Sequence, residues 1–162
     1  YFQERLARRE QEINERFGKE DYKPFILLAQ HQDSETVTRF YRGAEVCVVT
    51  SLHDGMNLVS KEFIASRNDQ KGVLILSQFA GAAGELPEAL IVNPYHVEET
   101  ADALYRAVTM PEAEQRDRMR SLRATVRERN VFRWAGFMLL DAARIRRRER
   151  IEARLLTHTE NT

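Results

Sequence analysis

A single cysteine among 162 residues excludes any disulfide within the chain. Cys47 sits in the apolar run Val46-Cys47-Val48-Val49 and reads as core packing in a reducing compartment. Charge of one sign is equally lacking: Lys and Arg total 25, and so do Asp and Glu. Nothing in the bulk charge favours nucleic acid or a membrane surface as partner. No apolar stretch approaches the ~20 residues that span a bilayer. No basic-then-apolar leader opens the sequence, so a cytoplasmic location is expected. The histidines, His31, His53, His96 and His158, are scattered, and no metal-ligand spacing connects them. No Ser-His-Asp order or nucleophile elbow is present. Internal repeats and low-complexity linkers are absent. The opening Tyr1-Phe2-Gln3 is compatible both with the end of an expression-tag site and with native helix.

Hydrophobic residues make up 43 % of the chain, enough for a packed core. Residues 4–17 read as a charged amphipathic helix stopped by Gly18. Four short apolar runs follow: Pro24–Ala29, Val46–Thr50, Val73–Ser77 and Leu90–Asn93. None alternates with period two, so each reads as a strand covered on both faces of a parallel sheet. Helices are expected between them: from Asp33 or Ser34 to Tyr41, from Asn57 or Leu58 to Arg67, and from Val97 to Met110. The last shows Val97, Ala101, Leu104 and Val108 as its apolar stripe. Pro111 opens a further helix, and a terminal helix carries Phe132, Trp134 and Phe137. Residues 144–150 are basic but interleaved with Glu149 and Glu152, as on a solvated helix end. The fold class is α/β, doubly wound and mainly parallel, with C-terminal helices. A helix with no strand before it opens the chain, so residues 1–162 are expected to be a single, incomplete domain.

In open α/β sheets, ligands sit at the carboxyl ends of the strands. The segment HDGMNLVSKEF, residues 53–63, leaves a strand there and restarts as a helix. Asp54-Gly55 offers a tight turn, with Gly55 permitting close backbone approach. First-turn amides of Leu58, Val59 and Ser60 lack intrahelical acceptors and suit a phosphate or diphosphate. Asp54 and Glu62 could accept from sugar hydroxyls. Equally, Asp54 or Asn57 could simply cap the helix, with Lys61 and Glu62 as solvated charges. A second small-residue segment, Ser77-Gln78-Phe79-Ala80-Gly81-Ala82-Ala83-Gly84-Glu85, permits close approach by a ligand or forms a compact turn. His31, after the first apolar run, is either catalytic or a structural histidine.

The runs DGMNLVSKEF, GVLILSQFAGAAGEL and ALIVNPY resemble the C-terminal, donor-binding domain of trehalose-6-phosphate synthases. These are retaining glycosyltransferases of the GT-B type, with two Rossmann-like domains facing a cleft. The resemblance covers residues 5–145. It implies that Asp54 is the active-site carboxylate holding the donor glucose hydroxyls. Gly55, Met56 and Asn57 would line the sugar, and the Leu58 and Val59 amides would bind the diphosphate of UDP-glucose. Ser60 and Lys61 continue that stretch, where Ala-Lys is common in the family. Glu62 would grip the ribose, and Gln32 would contact the uracil through its backbone. The implied reaction is metal-independent transfer of glucose to glucose-6-phosphate with retention, in trehalose biosynthesis. His53 stands where the family often has Arg.

The family's diphosphate-clamping Arg and Lys, the strand after them and the N-terminal acceptor domain have no match in the sequence. The chain alone is therefore expected to be inactive. In the family's sheet the unmatched strands lie between the first two apolar runs of this chain, so a homo-oligomer or strand exchange is expected. A related transferase, such as a glucosylglycerol-phosphate synthase, and a non-catalytic interaction module are the alternatives.

Overall fold

The computed structural model describes residues 2–159, with side chains described for residues 3–148. Tyr1, and with it the origin of the first three residues, lies outside the described residues. The side chains of Glu149, Arg150 and Glu152 in the basic run do too. The chain divides into two compact units after Val37.

The first unit holds α1 (Phe2–Phe17) and the segment after it. Gly18 ends the helix as expected. Its N–H donates to the Asn14 carbonyl at 2.8 Å, and a Cβ there would overlap that same oxygen. The apolar run Pro24–Ala29 is not a strand, contrary to the sequence expectation. No strand lies alongside it among the described residues, and side chains of α1 take over part of the ladder. Asn14 Nδ2 donates to the Phe25 carbonyl at 2.8 Å, while Asn14 Oδ1 accepts the Phe25 N–H at 3.0 Å. Glu10 accepts the Leu27 N–H at 3.2 Å. Backbone without a neighbouring strand must find hydrogen bonds elsewhere.

Asp33 caps α2 (Ser34–Gly43) by accepting the Thr36 N–H at 2.8 Å. The second unit contains β1 (Val46–Val49), α3 (Leu58–Ser66), β2 (Val73–Ser77), a 3-10 turn (Gly81–Gly84) and β3 (Leu90–Val92). Helices α4 (Val97–Thr109), α5 (Glu112–Glu128) and α6 (Val131–Thr159) complete it. The strands form one parallel sheet in the order β1-β2-β3, with Val46 opposite Val73 and Ile75 opposite Leu90. The outer edge of β1 has no strand partner among the described residues.

Every residue of β2 is buried, because the sheet is covered on both faces. Leu74 and Leu76 join Phe63, Ile64, Met119 and Leu122 from α3 and α5. Val73 and Ile75 join Leu90, Val92, Ala107 and Met110, with α4 on that side. Alternate side chains thus enter different cores, which is the doubly wound arrangement and explains the unbroken apolar runs. Burial pushes the Cys47 thiol up to about 11, consistent with inert packing.

One expectation about a helix face is corrected. On α4 the buried residue is Ala107, with Ala103 half-buried, whereas Val97 and Val108 are 77 % and 61 % exposed. The small alanines let the helix backbone approach the sheet. On α6, Phe132, Trp134 and Phe137, which suit either a core or an anchor to another domain, are exposed.

Arg67, directly after α3, is only 5 % exposed. Its Nη1 donates to the carbonyls of Tyr41, Arg42 and Ala44 at 3.0, 2.7 and 2.6 Å. Its Nε reaches the Lys71 carbonyl at 2.8 Å, and Nη2 pairs with Asp69 at 3.0 Å. One guanidinium therefore caps the end of α2 and closes the α3–β2 turn. Gly72, at φ +90°, lets that turn pass the guanidinium.

Candidate functional site

The joint between β1 and α3 is a knot of local hydrogen bonds. Asp54 Oδ1 accepts the Met56 and Asn57 N–H groups at 3.2 and 2.8 Å. Its Oδ2 accepts from Asn57 Nδ2 at 2.8 Å. Asn57, 2 % exposed, adopts a left-handed backbone at φ 53° and caps α3 by accepting the Ser60 N–H at 3.0 Å. Asparagine tolerates that conformation better than most residues, so the sharp turn falls on Asn57, not on Gly55.

These bonds decide which helix donors are available. Met56, Asn57 and Ser60 amides are taken. Among the described residues the amides of Leu58 and Val59 have no protein acceptor, and both residues are half-exposed. They lie at the positive end of α3, where an anion is favoured.

The second small-residue segment packs directly on this joint. Asp54 bridges Ala80 in parallel fashion, and the Gly81 N–H donates to the Asp54 carbonyl at 2.7 Å. A Cβ on Gly81 would overlap the Gly55 carbonyl oxygen and lie 2.7 Å from its carbon. The glycine required for close approach is thus Gly81. At Gly55 a Cβ would meet open space. Farther on, Lys61 Nζ pairs with Glu85 Oε2 at 3.1 Å. Two loops that are separate in sequence form one surface.

Glu62 is exposed, and its Oε2 accepts from the Tyr41 hydroxyl at 3.5 Å. Burial, then the Glu62 charge, raises the Tyr41 phenol above its ordinary value. His53 is exposed beside Asp54. Gln32 belongs to the first unit, where its Nε2 donates to the Gln30 carbonyl at 3.3 Å. His31 is exposed in that unit. His96, not singled out from sequence, caps α4 by accepting the Glu99 N–H at 3.0 Å. Glu85 was also missed as an individual residue. Its partner lies 24 positions away, a spacing that no local pattern reveals.

A cavity of about 500 Å³ lies elsewhere, between β3 and α4. Its lining sets Glu99 and Asp102 against Arg106 and Arg118, with no net pull on an anion. At the joint itself, Gly55, Met56, Leu58 and Val59 are exposed.

The Asp54 carboxyl is held below its ordinary 3.8, chiefly by the Asn57 backbone N–H, then by the Asn57 side chain, with Met56 and His53 adding. A depressed carboxylate stabilises the fold above its ordinary pKa, and that contribution is lost as pH falls through the depressed value. Asp54→Asn is expected to lower the melting temperature at pH 7 and to flatten its fall on acidification. Thermal unfolding from pH 7 to pH 2 measures both. Some acid slope will remain, because Asp33, Glu112 and Glu114 are also held low by their hydrogen bonds.

The model for glycosyltransferase family 20 matches residues 2–144. The chain belongs to glycosyltransferase family 20. Among its relatives in the family, trehalose-6-phosphate synthase of Klebsiella pneumoniae is 45 % identical over 134 residues, covering 82 % of this chain. The family 20 chain spans about 28 % of that relative's length. The E. coli trehalose-6-phosphate structure bound with UDP-2-fluoro glucose superposes with a TM-score of 0.83 at 40 % identity, covering 86 % of this chain and 31 % of that one. An alpha,alpha-trehalose-phosphate synthase from Burkholderia xenovorans, in complex with glucose-6-phosphate, gives 0.82 at 40 % identity and covers 86 % and 31 % of the two chains. Among the described residues of the family 20 chain, no group of His, Cys, Asp and Glu gathers to hold a metal. None of its described helices is long and apolar enough to cross a membrane.

Proposed function

We propose that the chain supplies the donor-binding part of a trehalose-6-phosphate synthase, taking UDP-glucose at the β1–α3 joint. The observation that carries this reading is the pair of Leu58 and Val59 amides without protein acceptors, between the carboxylates of Asp54 and Glu62. The amides take the diphosphate. Asp54, already oriented by three hydrogen bonds, offers its remaining Oδ2 lone pair to a glucose hydroxyl, with Gly55, Met56 and Asn57 along the sugar. Glu62 accepts from the ribose hydroxyls.

In the proposed reaction, glucose passes to glucose-6-phosphate with retention, and negative charge develops on the departing UDP. Helix amides fixed in advance stabilise that charge without reorganising. No metal is invoked, because the amides perform the electrostatic role. Glucose-6-phosphate would bind on a surface outside this chain, so the chain alone is expected to bind donor without turning it over. An assembly that adds strands at the open edge of β1 belongs to the same reading.

Calorimetry with UDP-glucose tests it. Weak binding, about millimolar, is expected for an open one-sided surface. Glu62→Ala should weaken it about tenfold or more, the worth of a charge-assisted hydrogen bond. Undiminished binding in that variant refutes the ribose role, and turnover by the chain alone refutes the need for a second surface.

A further inference from the structure

We propose that Glu85 is a positioning residue for the diphosphate-binding turn, acting through Lys61. The inference rests on the donor-site reading above.

The Leu58 and Val59 amides are held from two sides. Before them, Asp54 is tied by its backbone to Ala80 and Gly81. After them, Lys61 is tied by its side chain to Glu85, at the end of the same 3-10 turn. The Lys61 and Glu85 side chains are 25 % and 37 % exposed, so the pair is partly shielded. Exposed pairs contribute little, whereas shielded ones hold geometry more firmly. Without Glu85, the first turn of α3 keeps only the backbone tie to that 3-10 turn, besides its own Asn57 cap and core packing.

The same contact assigns Lys61 a role. Its ammonium is neutralised by Glu85, so the amides, not Lys61, supply the positive end of the site. Charge alone predicts that removing Glu85 frees a cation and tightens anion binding. Positioning predicts the opposite sign.

Titration of the ¹⁵N-labelled full chain with UDP-glucose, and separately with inorganic pyrophosphate, distinguishes them through the Leu58 and Val59 amide resonances. Glu85→Gln is expected to weaken both ligands about fivefold, with an unchanged melting temperature. Lys61→Met should match it, and the double variant should be no weaker than either single one. Lys61→Arg, which keeps the pair, should bind as the unsubstituted chain does. Unchanged or tighter binding in Glu85→Gln overturns the positioning role while leaving the donor site intact. Failure of UDP-glucose to shift Leu58 and Val59 in the unsubstituted chain overturns the donor site and the positioning role together.

Discussion

Arg67→Ala is expected to destabilise the second unit by about 3–5 kcal/mol, seen as an earlier urea midpoint by far-UV circular dichroism. The guanidinium is buried and donates to four main-chain carbonyls as well as to Asp69. Three of those carbonyls belong to the end of α2 and the residue after it, where a helix runs out of internal donors. Truncation removes their donor, and an acceptor left unpaired where water cannot replace the donor costs about 1–3 kcal/mol. It also removes the cation stacked 5.9 Å from the Phe63 ring. Arg67→Lys should recover less than half of the loss. A single ammonium cannot copy a planar fork that reaches both the α2 end and the α3–β2 turn. Full recovery with lysine would mean that charge, and not fork geometry, holds this corner.

Gly81→Ala should abolish donor binding and lower stability by about 1–3 kcal/mol, the usual range for forced overpacking. A methyl group there runs into the Gly55 carbonyl, which is main chain and cannot rotate aside. Relief requires the loops to separate, breaking the bond from Gly81 to Asp54 and moving the Asn57 cap. Gly84→Ala is the matched control. It lies three residues on in the same turn, and a Cβ there meets nothing within 4 Å. It should melt and bind as the unsubstituted chain does. Calorimetry and thermal unfolding on both variants check the contrast. Equal behaviour of the two would show that the close approach at Gly81 is dispensable.

Much of the fold was legible because apolar runs and caps act locally. Val73–Ser77 is a strand, and Gly18 ends α1. Pro24–Ala29 misled because an apolar run reports burial, whereas a strand needs a partner that the run itself does not encode. On α4 the period was real, but the chain packs Ala103 and Ala107 inward and leaves Val97 and Val108 outside. At the joint, helix-start chemistry made the acceptor-free amides of Leu58 and Val59 legible, but it also offered the Ser60 amide, which Asn57 takes. The identity of the turning residue was not legible, since Asn57 turns left-handed through bonds to Asp54 that only the folded knot supplies. The Lys61–Glu85 pair and the contact of Gly81 with Gly55 join distant positions, so no window of sequence contained them.

Asn14 and Glu10 reach Phe25 and Leu27 across only 11 and 17 positions. Contacts that short close quickly, whereas β1 must find β2 across an intervening helix before either strand is paired. The first unit should therefore be ordered early in refolding, with the sheet following as the slower event. Pulsed hydrogen exchange would show the Phe25 and Leu27 amides protected ahead of those in β2.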